Sequence, residues 1–127
     1  MVKSYLALIG ALYIALGLWC AIRPEVASRK VGFDLLSGSG QSEFTVVYGG
    51  LEFALGLLFL SPLIRKDLTE PMLLACAVIH ICLAFFRLVS FIRFQNIQSF
   101  TKSLTAIECL LAISAIAIYW YSYRRGN

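Results

Sequence analysis

The sequence predicts an all-α fold, a membrane-embedded antiparallel four-helix bundle. Hydrophobic residues make up 60% of the 127 residues and charged residues 14%, against about 45–50% and about 25% in soluble domains. The apolar residues fall into four runs, and each run has the length of about 17–25 residues that a helix needs to cross a bilayer. All basic residues except Arg87 lie outside the runs, where they would meet lipid headgroups.

This composition excludes several classes of protein. The 18 charged side chains, 11 basic and 7 acidic, cannot cover the surface of a soluble domain. A free cytosolic enzyme and a disordered regulator are therefore excluded. The formal net charge of +4 is spread along the chain and forms no basic cluster, so a nucleic-acid module is excluded as well. Membrane lipids are the expected partners.

The first helix follows from Tyr5–Ile22, eighteen residues without a charge that end just before Pro24. We interpret this run as a retained helix, because it is longer than the apolar part of a cleaved signal peptide. The residues after it form an interfacial loop over 23–42, whose apolar side chains could line a short helix on the membrane surface.

The other three helices follow from three runs that polar residues interrupt. The second run contains Glu52, the third contains His80 and Arg87, and the fourth contains Glu108. Pro62 marks the end of the second helix and Pro71 the start of the third. We expect a single transmembrane domain over 1–127, with helices over about 4–22, 43–64, 71–93 and 103–122.

The polar residues inside the runs predict one shared site. A charge at the centre of a bilayer costs at least ~2.5–3.5 kcal/mol, so it needs a partner or a wet cavity. A spacing of three or four residues puts the polar and small residues of each helix on one face. In the second helix this face holds Thr45, Tyr48, Gly49, Glu52 and Gly56. The candidate residues of a ligand-binding or buried polar site are Glu43, Tyr48, Glu52, His80, Arg87 and Glu108.

The depths of these residues predict a polar funnel. Arg87 lies shortly before the third helix leaves the membrane, and Glu108 shortly after the fourth enters on the same side, so they are expected to form an ion pair. Glu52 and His80 lie deeper. One arginine cannot neutralise two carboxylates, so either one acid is protonated or His80 carries charge.

Each candidate also has a simpler structural interpretation, which stays open. Glu43 would complement the positive N-terminus of its helix. Arg87 and Glu108 would form a bridge that sets helix register. Tyr48 would be an ordinary packing residue, and His80 would be a hydrogen-bonded residue of the interior.

Small residues predict where helices approach each other closely. Gly10, Tyr13 and Gly17 give the first helix a narrow face. In the second helix Gly50 and Ala54 have the spacing of a small-residue contact.

The sequence predicts neither a metal site nor a cofactor. The four cysteines form no C-x-x-C pattern and lie within apolar runs. A single histidine cannot ligate haem on both faces within one chain. No nucleophile, base and acid have a recognisable spacing, so catalytic residues are unknown and enzyme activity stays open.

The chain resembles a bacterial four-helix membrane family that is known as domain of unknown function 4345. The family pattern is Glu-x-Arg-x-x-Tyr-Gly-Gly in the second helix, an arginine followed by serine in the third and a glutamate in the fourth. The matching residues are Glu43, Tyr48, Gly49, Gly50, Arg87, Ser90 and Glu108. Thr45 stands where the family usually has arginine, which would leave Arg87 as the interior cation. The resemblance implies an inner-membrane protein and supplies no activity.

Three functions remain open at this stage. The first is a membrane protein whose polar pocket binds a lipid-like or small amphipathic ligand, and an enclosed cavity of roughly 300 Å³ or more would favour it. The second is an oligomeric small-molecule or proton-coupled transporter, which needs a path through the protein. The third is a structural subunit with a dry, paired interior. The oligomeric state is not predicted.

The membrane orientation is also undecided, because five basic residues fall on each side. Those on the side of the termini are Lys3, Arg65, Lys66, Arg124 and Arg125, and those on the other side are Arg23, Arg29, Lys30, Arg93 and Lys102.

Overall fold

The structure, a computed structural model, describes residues 1–126. The side chains of Tyr123 and Arg125 lie outside the described part, and Arg125 is one of the basic residues in the orientation count. Within residues 1–126 the chain forms helices and no strand. The helices are α1 (Val2–Ile22), α2 (Pro24–Lys30), α3 (Ser39–Leu63), α4 (Thr69–Arg93) and α5 (Ser99–Gly126).

Four of these helices, all except α2, are long and apolar enough to cross a membrane. Only 22–33% of the residues in their most apolar stretches are buried inside the protein. Large side chains such as Leu8, Phe86 and Ile113 stay exposed. Lipid covers an apolar surface of this extent, whereas water does not. The predicted all-α membrane bundle is confirmed, and the chain is a multi-pass integral membrane protein.

The bundle consists of two antiparallel helix pairs. α1 packs along α3, and α4 packs along α5. Residues of α1 join the two pairs, because Tyr13 contacts Phe59 of α3 and His80 of α4. The main apolar core lies in the half of the bundle that contains the N-terminus of α1, around Leu6 and Leu73.

The connectors contain helix, including a short helix in the segment where the sequence leaves one open. The expected loop over 23–42 contains α2, which begins with Pro24 at its first turn and carries Arg29 and Lys30 in its last turn. Basic side chains there complement the negative end of the helix dipole. α4 and α5 begin at Thr69 and Ser99, whereas the predicted starts were 71 and 103. Apolar runs underestimate helix length because polar first turns are helical too.

α3 contains a π-helical segment over Thr45–Leu51 between two α-helical parts. The sequence favours this departure, since β-branched residues and two glycines weaken the α-helical preference. A π turn takes in one residue more than an α turn, so it rotates the residues before it relative to those after it. The predicted common face is therefore split. Gly49 is buried, while its neighbour Tyr48 is 38% exposed.

Glycines let α1 and α3 touch backbone to backbone. A Cβ on Gly17 would lie 2.6 Å from the nitrogen of Phe53, and one on Gly10 would lie 2.8 Å from the oxygen of Gly56. The predicted narrow face of α1 is therefore in contact with α3. The predicted contact through Gly50 and Ala54 is wrong within this chain, because both residues are exposed. A Cβ on Gly50 would meet nothing within 4 Å.

We expect Gly17→Ala to lower the free energy of unfolding by about 1–3 kcal/mol, the usual cost of overpacking. The added methyl group would meet α3 backbone, which cannot move aside as a flexible side chain could. The measurement is reversible unfolding in mixed detergent micelles. The matched control, Gly50→Ala, adds a methyl group that meets nothing within 4 Å, and it should leave stability unchanged or raise it by up to about 1 kcal/mol, because alanine has the higher helix propensity. Equal losses in both variants would contradict the close contact.

Candidate functional site within the bundle

Arg87 and Glu108 form a bidentate ion pair between α4 and α5. Nε of Arg87 donates to Oε2 of Glu108 at 2.9 Å, and Nη2 donates to Oε1 at 2.7 Å. The arginine side chain is 28% exposed and the glutamate side chain 11%. The short connection between the two helices places these residues at the same depth. The predicted ion pair is present.

Glu52 lies at the start of the second α-helical part of α3, directly after the π segment. Its carboxyl group is close enough to Glu108 and to Tyr13 for electrostatic interaction. Oε2 is buried and has no hydrogen-bond partner, and it is the one such side-chain atom among the described residues. Glu52 is therefore the polar group that the chain leaves unsatisfied.

His80 is fully buried and has partners on both ring nitrogens. Nδ1 lies 2.8 Å from the carbonyl oxygen of Cys76, and Nε2 lies 3.3 Å from the hydroxyl of Tyr13. Because a carbonyl oxygen can only accept, Nδ1 carries a proton and donates it. Nε2 can then accept from Tyr13, which satisfies the ring in its neutral form. The structural interpretation of His80, a hydrogen-bonded interior residue, accounts for its contacts.

Tyr13 is a member of the polar cluster that the sequence did not single out. It is buried, packs edge to face on Phe59 at 5.5 Å between ring centroids, and places its hydroxyl on His80. Its position on the face of Gly10 and Gly17 was the available signal, but that face was interpreted only as a packing surface. A second tyrosine of α1, Tyr5, bonds the hydroxyl of Ser114 at 2.9 Å.

Among the described residues, two predicted candidates make no hydrogen bond to this cluster. Tyr48 stacks on Phe44, with 4.6 Å between ring centroids, and stays within electrostatic range of Arg87. Glu43 is exposed on α3, and no hydrogen bond or ion pair of its side chain occurs among the described residues. Arg87 and Glu108 are therefore in direct contact, Glu52 lies within electrostatic range of Glu108, and His80 contacts Tyr13.

An open apolar groove of about 460 Å³ runs along α4 beside the ion pair. Its lining residues form two rows on the helix, Val78, Cys82, Phe86 and Ser90 in one and Ile79, Leu83 and Arg87 in the other. Arg87 therefore belongs both to the interior cluster and to a surface that faces lipid. A smaller recess of about 340 Å³ lies near the other end of α4, beside Glu70 and Tyr119.

The cluster does not have the composition of a metal site. Among the described residues, no three histidine, cysteine or acidic side chains lie close enough to share a metal ion. The four thiols are unpaired and occupy separate helix positions, at Cys20, Cys76, Cys82 and Cys109. The free oxygen of Glu52 can accept a hydrogen bond from an organic molecule, and the guanidinium of Arg87 can donate one to it.

The fold and the cluster define a small four-helix membrane protein with a polar group of residues inside its bundle. Residues 1–120 match the family described as Domain of unknown function (DUF4345). This match covers nearly the whole chain, so the chain belongs to that family, as the resemblance in its motif predicts. Neither the characterised proteins nor the solved structures contain a match.

We expect Arg87→Met to lower the free energy of unfolding by roughly 3 kcal/mol, because it leaves the carboxylate of Glu108 unpaired in a partly buried position. Replacing both residues by methionine should restore most of the loss, since an apolar pair of similar volume needs no partner. Unfolding in mixed micelles measures both effects. A double variant as unstable as the single one would show that stability depends on contacts other than the ion pair.

We expect Tyr13→Phe to cost about 1–3 kcal/mol, because the Nε2 atom of His80 loses its buried partner. A double-mutant cycle with His80→Leu should give a coupling energy of about 0.5–3 kcal/mol. Tyr48→Phe is the matched control and should leave stability unchanged, since its ring stacking is retained. A coupling energy near zero would contradict the Tyr13–His80 bond.

Proposed function

We propose that this protein binds a small amphipathic, lipid-like molecule at the interior cluster of Glu52, Arg87 and Glu108. The observation that carries the proposal is the buried Oε2 atom of Glu52, which has no hydrogen-bond partner in the described chain. A buried polar atom without a partner costs about 1–3 kcal/mol. A bound molecule that donates a hydrogen bond to Glu52 would recover that free energy.

Among the described residues, no neighbouring side chain donates a hydrogen bond to Oε2 of Glu52. Arg87 already directs Nε and Nη2 at Glu108. The hydroxyl of Tyr13 is directed at His80. The carboxyl group of Glu108 repels that of Glu52 when both are ionised. The missing partner is therefore expected from a ligand that carries a hydroxyl or amine group.

The surroundings of the cluster favour a ligand that is amphipathic. The groove along α4, which Arg87 helps to line, is mostly apolar. A ligand that enters from the membrane needs an apolar part to dissolve in lipid and a polar part to reach Glu52. The proposed location is a bacterial inner membrane, as the family resemblance implies.

A proton-coupled transporter is the second candidate function, and it would also depend on Glu52. Acidic side chains within membrane spans serve as proton carriers in transporters, and Oε2 of Glu52 has no hydrogen-bond partner among the described residues. A purely structural subunit accounts for the Arg87–Glu108 pair but gives Glu52 no role. Ligand binding gives a role both to the Arg87–Glu108 pair and to the unsatisfied oxygen of Glu52. It is therefore the function we favour.

Native mass spectrometry of the purified full chain tests binding. We expect wild-type protein to carry a co-purifying small molecule, and Glu52→Gln and Arg87→Ala to lower its occupancy at least tenfold. One lost hydrogen bond to a charged group corresponds to about 1.5–3 kcal/mol, which is a tenfold change or more. Glu43→Gln is the matched control, because it removes the same charge from an exposed position.

Two outcomes would overturn the proposal. One is full occupancy in Glu52→Gln. The other is wild-type protein without any bound molecule, with variants that differ from it only in thermal stability. Circular dichroism of each variant shows whether the helices are intact, so that a loss of fold is not mistaken for a loss of binding.

A further inference from the structure

The recess of about 340 Å³ beside Glu70 lies between α4 and α5, at the end of the bundle that holds the chain termini. We infer that it binds a primary ammonium group, carried by the headgroup of a membrane lipid such as phosphatidylethanolamine. Glu70 and Arg87 are seventeen residues apart on α4, which corresponds to ~25 Å along the helix. The recess is therefore separate from the interior cluster, and this inference does not depend on the proposed function.

The facing sides of two packed helices form the recess. Glu70, Leu73 and Leu74 have the spacing of residues on one face of α4. Tyr119 and Ser122 are three residues apart and share a face of α5. Leu73 is 1% exposed and belongs to the main apolar core, against which Tyr119 also packs. The recess thus ends on the core between two helices.

The recess lies at the boundary between hydrocarbon and lipid headgroups. Glu70 is in the first turn of α4, and Ser122 lies close to the end of α5 at Gly126. Tyr119 begins the run Tyr119–Trp120–Tyr121, and tyrosine and tryptophan concentrate at the level of the headgroups. A lipid can therefore reach the recess with its headgroup while its chains stay in the hydrocarbon.

Three polar side chains of the lining are free to bind a ligand. Those of Glu70, Tyr119 and Ser122 make no hydrogen bond or ion pair within the described part of the chain. Each carries an oxygen that can accept a hydrogen bond. A carboxylate in a first turn also complements the positive end of its helix, but this effect needs no side-chain partner and leaves the carboxylate able to bind a cation.

The basic side chains nearby in sequence do not compensate this carboxylate. Arg65 binds Asp67, with 2.6 Å between Nη2 and Oδ2. The guanidinium of Arg124 lies over the ring of Trp120, 5.4 Å from its centroid. Lys66 is exposed and forms no ion pair with any described side chain. A cationic ligand would therefore supply a charge that the described side chains do not.

A primary ammonium group matches the lining in charge and in hydrogen bonding. It carries one positive charge and three N–H donors, and the three free side chains of the recess all offer acceptors. A quaternary ammonium group has no N–H and is bound by cages of aromatic rings, whereas Tyr119 is the one aromatic residue of this lining. An anionic headgroup would be repelled by Glu70. The volume is at the lower end of the range of about 300–1,000 Å³ for small-molecule pockets.

Native mass spectrometry of the full chain with added lipid tests this inference. The probes are phosphatidylethanolamine and phosphatidylcholine with identical chains, which differ only in the methyl groups on nitrogen. We expect phosphatidylethanolamine to bind at least about threefold more tightly, a modest ratio because Glu70 is exposed and water screens part of the attraction. Free ethanolamine at the same concentration should not displace the lipid. Displacement would overturn the lipid as the source of the ammonium group.

Two variants of the lining and one matched control locate the site. Glu70→Gln keeps the size of the side chain but removes its charge, and it should abolish the preference for phosphatidylethanolamine. Tyr119→Phe keeps the ring and should lower the preference, because one acceptor is lost. Glu43→Gln removes an exposed carboxylate at the other end of the bundle and should preserve it. Equal binding of both lipids by the wild type, or a preference that survives Glu70→Gln, would overturn the inference.

Glu52→Gln separates this inference from the proposed function. It should lower occupancy of the interior ligand and leave the lipid preference unchanged. If it abolished the preference, the lipid would be bound at the interior cluster and the recess inference would fail. A preference that only the recess variants remove, in a protein without an interior ligand, would support the recess and contradict the proposed function. Circular dichroism shows whether each variant keeps its helices.

Discussion

Hydrocarbon offers no hydrogen bonds, and this constraint governs the interior of the bundle. A polar atom that points inwards must find its partner within the chain, because no water takes its place. Arg87 and Glu108 satisfy each other through two bonds. His80 has partners on both ring nitrogens, one of them the hydroxyl of Tyr13. Against this background, the unsatisfied oxygen of Glu52 stands out as a feature that packing does not explain.

The features that depend on distance along the chain could be predicted from the sequence. Four runs of sufficient length predict four spans, because hydrocarbon thickness sets the number of residues. The Arg87–Glu108 pair could be predicted as well, since counting residues from the membrane surface gives depth in two adjacent helices. Charged residues in apolar runs are easy to recognise, and the cost of burying them requires that they meet.

The features that depend on rotation about a helix axis were harder to predict. The common face of Tyr48 and Glu52 assumes 3.6 residues per turn, and the π segment over Thr45–Leu51 breaks that assumption. Gly49, which belongs to the predicted face, is in contact with α1, while Gly50 faces outwards. Tyr13 was missed for a different reason. From the sequence alone, a tyrosine in an apolar run cannot be told from a packing residue, because the hydrogen-bond partner of its hydroxyl is not known.

The backbone contact between α1 and α3 has a consequence for biosynthesis. Synthesis proceeds from the N-terminus, so these two spans can dock as a hairpin before α4 and α5 leave the ribosome. The hairpin then carries Glu52 into the bilayer before Arg87 and His80 leave the ribosome. The nascent protein therefore passes through a stage in which Glu52 lies in the bilayer without α4 and α5 packed around it. The translocon or a membrane chaperone would shield the hairpin during that interval.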